Sequence, residues 1–406
     1  MTIHFPKLAS KRECTGCLAC VDSCQHDALN YYLGNDGHYY VKVDEDKCAG
    51  CLLCEKTCPI ASCQKYGEGE CATFYAAWNT DNNERFRSAS GGAFSAMARY
   101  TLDHGGIVIG AAIENVCDVR HISVEEKEKI GLLQGSKYTQ SDTNGIYLQT
   151  LRYLKGGKTV LFSGTGCQVG GLLSFLKNKK YDGKLITIDL ICGGVPSKRL
   201  LQKFIEDEPY KVKKILSFRT KENGWKPQGF IYNMKVEGAD GKVYDYTGKR
   251  NLVTTGFCTE MTERYSCYDC KFVGKHRLSD FTIGDLWGDK EYPQEHYNGL
   301  SLVVVHNHQA EMLLKEMESY LHTAPCNESQ AVKANYRIKK GHSVKKYTLE
   351  RIFMEYLFDK CSYQILKKIY ANDYNNYSPW LGWKAIRLIY MKMIIILIQV
   401  SHVKKI

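Results

Sequence analysis

Nowhere does the 406-residue chain run for twenty consecutive residues without a charge, so no stretch reads as a helix that spans a bilayer. Its opening, MTIHFPKLASKRECTG, has neither an apolar signal segment nor a cleavage pattern. Secretion is therefore not expected. Nucleic-acid recognition motifs are missing as well, and a net charge of +11 without them gives no ground for a DNA or RNA partner. That charge is uneven: residues 331–406 carry fifteen Lys/Arg against four Asp/Glu, while residues 1–70 carry seven against ten.

What the chain has in excess is cysteine, eighteen in all. With no signal pattern in the opening residues, this points to a reducing cytoplasm and to metal ligation instead of disulfides. Eight of these cysteines fall in two near-identical runs, CTGCLACVDSC (Cys14, Cys17, Cys20, Cys24) and CAGCLLCEKTCP (Cys48, Cys51, Cys54, Cys58). A cubane needs three thiolates converging from one tight loop, and two intervening residues bring consecutive sulfurs to neighbouring irons. The runs have the ferredoxin pattern for two 4Fe-4S clusters. In that pattern the fourth cysteine of each run crosses over, so Cys14, Cys17, Cys20 and Cys58 share one cluster and Cys48, Cys51, Cys54 and Cys24 the other. A zinc ribbon uses four ligands in paired knuckles, not two sets of four. Gln25 stands where a proline often follows the fourth cysteine; Pro59 keeps that place in the second run.

A ferredoxin module fills residues 1–70, and the polar stretch QKYGEGE marks its end. The core is expected to begin near Thr73 and to occupy residues 72–330. GGAFSAMARYTLDHGG followed by IVIGAAI reads as helix then strand. TVLFSGTGCQVGGLLSFLKN and KLITIDLICGGVPSKRLLQKFI each read as strand, glycine turn and helix. Later segments, ILSFRTKENGW, GFIYNMKVEG, KVYDYTG and SDFTIGDLWG, are richer in strand alternation. The expected class is therefore a multidomain α+β or α/β protein with a mixed core instead of a pure doubly wound sheet.

Residues 331–406 read as a basic helical tail. Within it, Met393 to Val403 is uncharged for eleven residues, short of the ~20 of a spanning helix. Lys384, Arg387, Lys392, Lys404 and Lys405, with Trp380 and Trp383, suit a helix lying on an anionic membrane surface. Packing of the same apolar face on protein explains it equally well.

Several core segments carry candidate chemistry. Ser90, Gly91 and Gly92, ahead of a helix, form a close-approach turn whose N-H groups suit a phosphate or a carbonyl-rich ring; helix capping accounts for them as well. In LQGSKYTQS (Gly135, Ser136, Lys137, Tyr138), Lys137 would set a positive charge beside an anionic reduced flavin, against the ordinary reading of a solvated lysine. FSGTGCQ supplies Gly164, Thr165, Gly166, Cys167 and Gln168. Cys167, Cys192, Cys267 and Cys270 come from three loops and suit a third cluster, a zinc ion or plain buried thiols. Asp280 and Asp285 are read as binding backbone around the SDFTIGD turn.

Taken in order, GTGCQ, IDLICGGVPS, SCYDC with Arg264, and DFTIGDLWG resemble the beta-subunit family of coenzyme F420 hydrogenases and dehydrogenases, in the form with an N-terminal two-cluster ferredoxin domain. The resemblance implies an FAD-binding core in which Ser90, Gly91, Gly92, the GSKY segment and Gly164 to Gln168 surround flavin and cluster, with Cys167, Cys192, Cys267 and Cys270 holding the third cluster. It implies an oxidoreductase passing electrons between a ferredoxin-like donor or acceptor and an organic substrate or deazaflavin-like carrier, with bacterial polysaccharide synthesis among the settings of its relatives. The family often has Cys-His-Gly where this chain has Cys192-Gly193-Gly194, which counts against use of the deazaflavin itself. The competing class is an electron-transfer subunit that docks on a larger enzyme and has no substrate of its own; a scaffold with structural zinc is the third. No catalytic residue is assigned.

Overall fold

Each cysteine run folds as a loop entering a short helix, α1 (Ala19–Ser23) and α2 (Leu53–Thr57). The computed structural model describes residues 4–61, 72–222, 224–225, 234–246, 252–258, 260, 262–275, 277–339 and 349–370. The two loops repeat one backbone path: Gly16 and Gly50 have φ of 66° and 67°, and Leu18 and Leu52 both have φ of 58°. A left-handed leucine costs about 1–2 kcal/mol. Its recurrence at the same place in both runs shows that the loop geometry overrides that cost. Between the loops, β1 (Leu29–Leu33) and β2 (Tyr39–Val43) pair as an antiparallel hairpin, completing a ferredoxin-like N-terminal domain.

From Thr73 the chain builds a large mixed sheet. Its first strands are β3 (Thr73–Asn79), β4 (Ile107–Ile113), β5 (Val119–Val124), β6 (Ser141–Asp142), β7 (Val160–Thr165) and β8 (Leu185–Leu190). A separate three-stranded antiparallel sheet follows, β9 (Val212–Ser217), β10 (Met234–Gly238) and β11 (Val243–Tyr246). The chain then returns with β12 (Phe281–Asp285), β13 (Ser301–Val305) and β14 (Leu321–Pro325). The nine strands lie in the order β14-β3-β13-β12-β8-β7-β4-β5-β6. Its centre, β4, β7, β8 and β12, is parallel, while β12, β13, β3 and β14 pair antiparallel. The core is thus mixed, as its sequence suggests.

The central strands are buried on both faces, so their apolar residues alternate between two cores. On one side, Val108 and Leu161 pack with α4 (Ala93–Asp103) and α10 (His308–Glu316). On the other, Ile107, Ile109, Val160 and Phe162 pack with α6 (Ile146–Lys155) and α7 (Gly166–Leu176). One expected detail differs: there is no glycine turn between β7 and α7. Thr165 ends the strand and caps the helix directly, its N-H donating to Gln168 Oε1 at 2.9 Å.

Part of the basic C-terminal stretch packs on protein. α12 (Leu349–Lys360) and α13 (Tyr363–Tyr370) bring Leu357, Phe358, Tyr363 and Leu366 into a core with Leu201 and Phe204 of α8 (Lys198–Asp207) and Met234 and Val236 of β10. Ala331 and Ile338 pack with Phe74 and Leu302, so contacts cross residue 330. The amphipathic segment Trp380 to Ile406, and the QKYGEGE linker, lie outside the described residues. Among the described residues no helix is long and apolar enough to cross a membrane.

Candidate functional site

Among the first eight cysteines, the fourth of each run lies against the opposite run. Burial raises the Cys20 thiol well above its ordinary range, and the charges of Cys17, Cys14, Cys58 and Cys54 add to the rise. Cys54 is raised to about 11 by burial, with Cys24 and Cys51 adding to it. Cys58 and Cys24 therefore each sit beside the opposite run. The Ala28 N-H points at Cys24 Sγ, 3.4 Å away.

Several contacts seat this domain on the core. Thr143 Oγ1 donates to the Cys17 carbonyl at 2.7 Å. Asp22 accepts the N-H groups of Gly145 and Tyr147 at 2.7 and 3.0 Å, capping α6 from another domain. Gly16 leaves no room for a side chain, since a Cβ there would stand 2.4 Å from Gln140 Nε2 and 2.8 Å from Arg264 Nη1. Gly171 has the same role on α7: its Cβ would lie 3.0 Å from Cys17 Sγ. The thiol of the first cluster loop thus touches the helix that begins with Gly166-Cys167.

The four core cysteines also come together. Cys167 lies in the first turn of α7, Cys192 follows β8, Cys267 lies in the 3-10 turn Tyr265–Asp269, and Cys270 follows that turn. Burial pushes Cys167 up to about 12, with Cys270 and Cys192 contributing; Cys267 is raised by burial, then by Cys192, Cys270 and Cys167. As thiols the four sulfurs are neutral; as thiolates they would repel one another, so ionising them together requires a cation between them, a role that iron suits. Backbone N-H groups of Gly194 and Phe272 point at Cys192 and Cys270 Sγ at 3.3 and 3.4 Å, and Thr165 Oγ1 lies 3.1 Å from Cys167 Sγ. Among the described residues no three His, Cys, Asp or Glu side chains are placed to hold one metal ion. The thiolates of a cubane bind four different irons and stand farther apart than that.

Cys167 and Cys192 line a cavity of about 440 Å³, within the range of small-molecule sites. Ser90, Gly92, Gly135, Ser136, Lys137, Tyr138, Gly164, Thr165 and Gln168 line it too. Gly91 and Gly166 do not: a Cβ on Gly91 would meet the Ala77 carbonyl at 2.4 Å, and one on Gly166 the Phe272 carbonyl at 3.0 Å. Both are packing glycines. The helix end at Gly92, with φ of 86°, opens α4 into the cavity without a side-chain cap from that residue, and Thr139 Oγ1 is buried on the cavity wall with no partner among the described residues. These features fit a phosphate-bearing or carbonyl-rich guest.

Lys137 is no solvated lysine. Its Nζ donates to the carbonyls of Gln134, Leu133 and Leu132 at 2.7, 2.9 and 3.3 Å, closing the end of α5 (Ile130–Leu133). Burial draws it down to about 7, while the three acceptors favour the ammonium. The Ser90 hydroxyl donates to the Leu300 carbonyl at 2.6 Å. The FRTK segment secures the same turn, with Arg219 donating to the Ala89 carbonyl and Lys221 to that of Ser90, at 2.8 and 2.7 Å. Asp280 binds backbone, but that of β8 and not of its own turn, accepting Thr187 N-H at 2.8 Å. Asp285 instead grips Arg219 through both oxygens, at 2.8 and 3.1 Å, because the end of β12 faces the FRTK segment and not its own turn.

Two lining residues, His121 and Arg337, have no signal in the sequence, and Gly193 is marked there only as a missing histidine. His121 sits at the centre of β5, its Nε2 donating to the Ser163 carbonyl at 3.1 Å and its Nδ1 accepting from Ser141 at 2.8 Å. Gly193 and Arg337 occupy one another's space: a Cβ at Gly193 would fall 2.4 Å from Arg337 Nη1. Where the family often has a histidine, a guanidinium from the other end of the core fills the room.

Comparison with known proteins agrees with this geometry. Residues 74–146 match "Coenzyme F420 hydrogenase/dehydrogenase, beta subunit N-term" and residues 157–329 match its C terminus, while residues 13–62 match "4Fe-4S dicluster domain". No curated protein matches the chain. Among solved structures, a chain of the F420-reducing NiFe hydrogenase complex from Methanosarcina barkeri, in a xenon derivative, is 18% identical, covers 74% of this chain and 91% of its own length, and has a TM-score of 0.43. With the two matched halves of one family spanning most of the core, the chain belongs to the coenzyme F420 hydrogenase/dehydrogenase beta-subunit family, in a form that carries an N-terminal 4Fe-4S dicluster domain.

Proposed function

We propose that this chain is an iron-sulfur flavoprotein oxidoreductase that moves electrons between a ferredoxin-like partner and an organic substrate held in the cavity. The observation that carries the reading is the continuity of thiols: Cys17 abuts Gly171, Cys167 lies one turn earlier on the same helix, and Cys167 and Cys192 line the cavity. When bound, three 4Fe-4S clusters supply single-electron exchange and FAD supplies its conversion to two-electron chemistry. The two ferredoxin sets of cysteines hold two clusters, and Cys167, Cys192, Cys267 and Cys270 the third. The open end of α4 at Gly92, with Ser136 and Thr139, receives the flavin, and Lys137 offsets its negative charge. In this reading residues 1–70 form the electron-entry domain, 72–330 the flavin-binding core, and 331–406 an appended basic segment.

Anaerobic purification tests it. The expected protein is brown, holds about twelve irons per chain, falls to about eight in Cys167→Ser or Cys270→Ser, and releases FAD on denaturation. Dominant zinc, or protein with neither iron nor flavin after reconstitution, overturns the reading. A holoprotein that turns over no small molecule and co-purifies with a larger enzyme would replace it with the docking-subunit alternative.

A further inference from the structure

We propose that Arg337 is an anion receptor in the cavity, and that the substrate therefore carries a carboxylate or phosphate that this guanidinium holds beside Cys192. The proposal rests on the reading of the cavity as the flavin and substrate site. Charged groups on the lining are Lys137, Arg219, Arg337 and Asp285. Lys137 is committed to three carbonyls, and Arg219 is held by both oxygens of Asp285. Arg337 is different. Its Nη2 is oriented by Glu260 Oε1 at 3.1 Å, its Nε is buried without a partner among the described residues, and its Nη1 lies over Gly193. A fork anchored on one side, with Nε and Nη1 making no hydrogen bond among the described residues, suits an oxyanion, because the anchor removes the rotamer entropy that binding would otherwise cost.

Two further observations assign this group to the substrate and not the cofactor. The uncapped end of α4 at Gly92 already offers the cavity N-H donors for cofactor phosphates. Arg337 also lies beyond residue 329, where the family match ends. A residue outside the shared portion, filling a slot opened by Gly193, suits the part of the ligand that differs between members.

The test uses the anaerobically purified, flavin-containing chain, titrated with benzoate, phenyl phosphate and neutral benzamide while flavin absorbance is followed. Saturable perturbation by the anions and none by benzamide is expected, and the tighter of the two anions identifies carboxylate or phosphate. Arg337→Gln should weaken anion binding by about tenfold or more with flavin and iron content unchanged. Arg337→Lys should retain part of the affinity, and Gly193→Ala, whose Cβ would meet Nη1 at 2.4 Å, should weaken it as well. Equal anion binding by wild type and Arg337→Gln, no binding by wild type, or loss of flavin from Arg337→Gln overturns the proposal. A wild-type chain that never retains flavin overturns the functional reading instead.

Discussion

Arg264 Nε donates to the Cys14 carbonyl at 2.6 Å, across 250 residues of sequence. The same guanidinium donates to the Tyr39 carbonyl at 2.7 Å, meets Gln140 Oε1 at 3.2 Å, and lies 4.4 Å from the Tyr40 ring centroid. One residue before Tyr265–Asp269, the turn that carries Cys267, thereby fixes the first ferredoxin loop against the core. That seating sets how the first ferredoxin loop lies relative to the core cysteines.

Replacing Arg264 with Leu leaves two part-buried carbonyls short of a donor, each costing about 1–3 kcal/mol, while Gln140 Oε1 keeps the Tyr39 N-H. The expected result is a loss of about 2 kcal/mol or more, with the N-terminal domain released earlier in limited proteolysis. Urea unfolding of the holoprotein checks it, and an unchanged midpoint with an unchanged cleavage pattern would show that the clamp is dispensable.

Gly171→Ala opposes two effects of known size. Alanine favours a helix interior over glycine by about 0.5–1 kcal/mol. The new methyl, however, would stand 3.0 Å from Cys17 Sγ and 3.2 Å from the Tyr147 hydroxyl, and overpacking of this kind costs about 1–3 kcal/mol. Net destabilisation is expected, with the spin coupling between the first ferredoxin cluster and the core cluster weakened in electron paramagnetic resonance. A stabilised variant with unaltered coupling would mean that the two loops are not in close contact.

His121 gives the protein a pH dependence. Burial holds its imidazole down to about 4, from an ordinary value of 6.5. As pH falls the unfolded chain takes up this proton first, so the stability contribution is complete above about 6.5 and is lost between there and about 4, on the order of 3 kcal/mol in total. Thermal midpoints of the wild type should therefore decline from pH 7 to 5 more steeply than those of His121→Gln. Parallel curves would remove His121 as the cause.

The readable parts of the fold are those set by neighbours in sequence. CTGCLAC and CAGCLLC specify their loops because spacing and a few dihedrals bring the sulfurs to one point. GGAFSAMARYTLDHGG-IVIGAAI is legible as helix and strand from its apolar period. The GTG segment misleads, since a Thr165 cap joins strand to helix where glycines suggest a turn. Gly91 and Gly166 belong to packing and not to the cavity, a distinction made by Ala77 and Phe272 from other elements. Asp285 looks like a turn residue until β12 and the FRTK segment bring Arg219 to it.

Sequence alone determined the iron chemistry and the alternation of helices and strands, because thiolate spacing and side-chain period act over a few residues. Tertiary structure alone decided that Cys17 meets Gly171, that Arg264 reaches Cys14, and that Arg337 fills the space over Gly193. Those relationships come from close packing between segments as much as 250 residues apart, where one missing Cβ sets what fits.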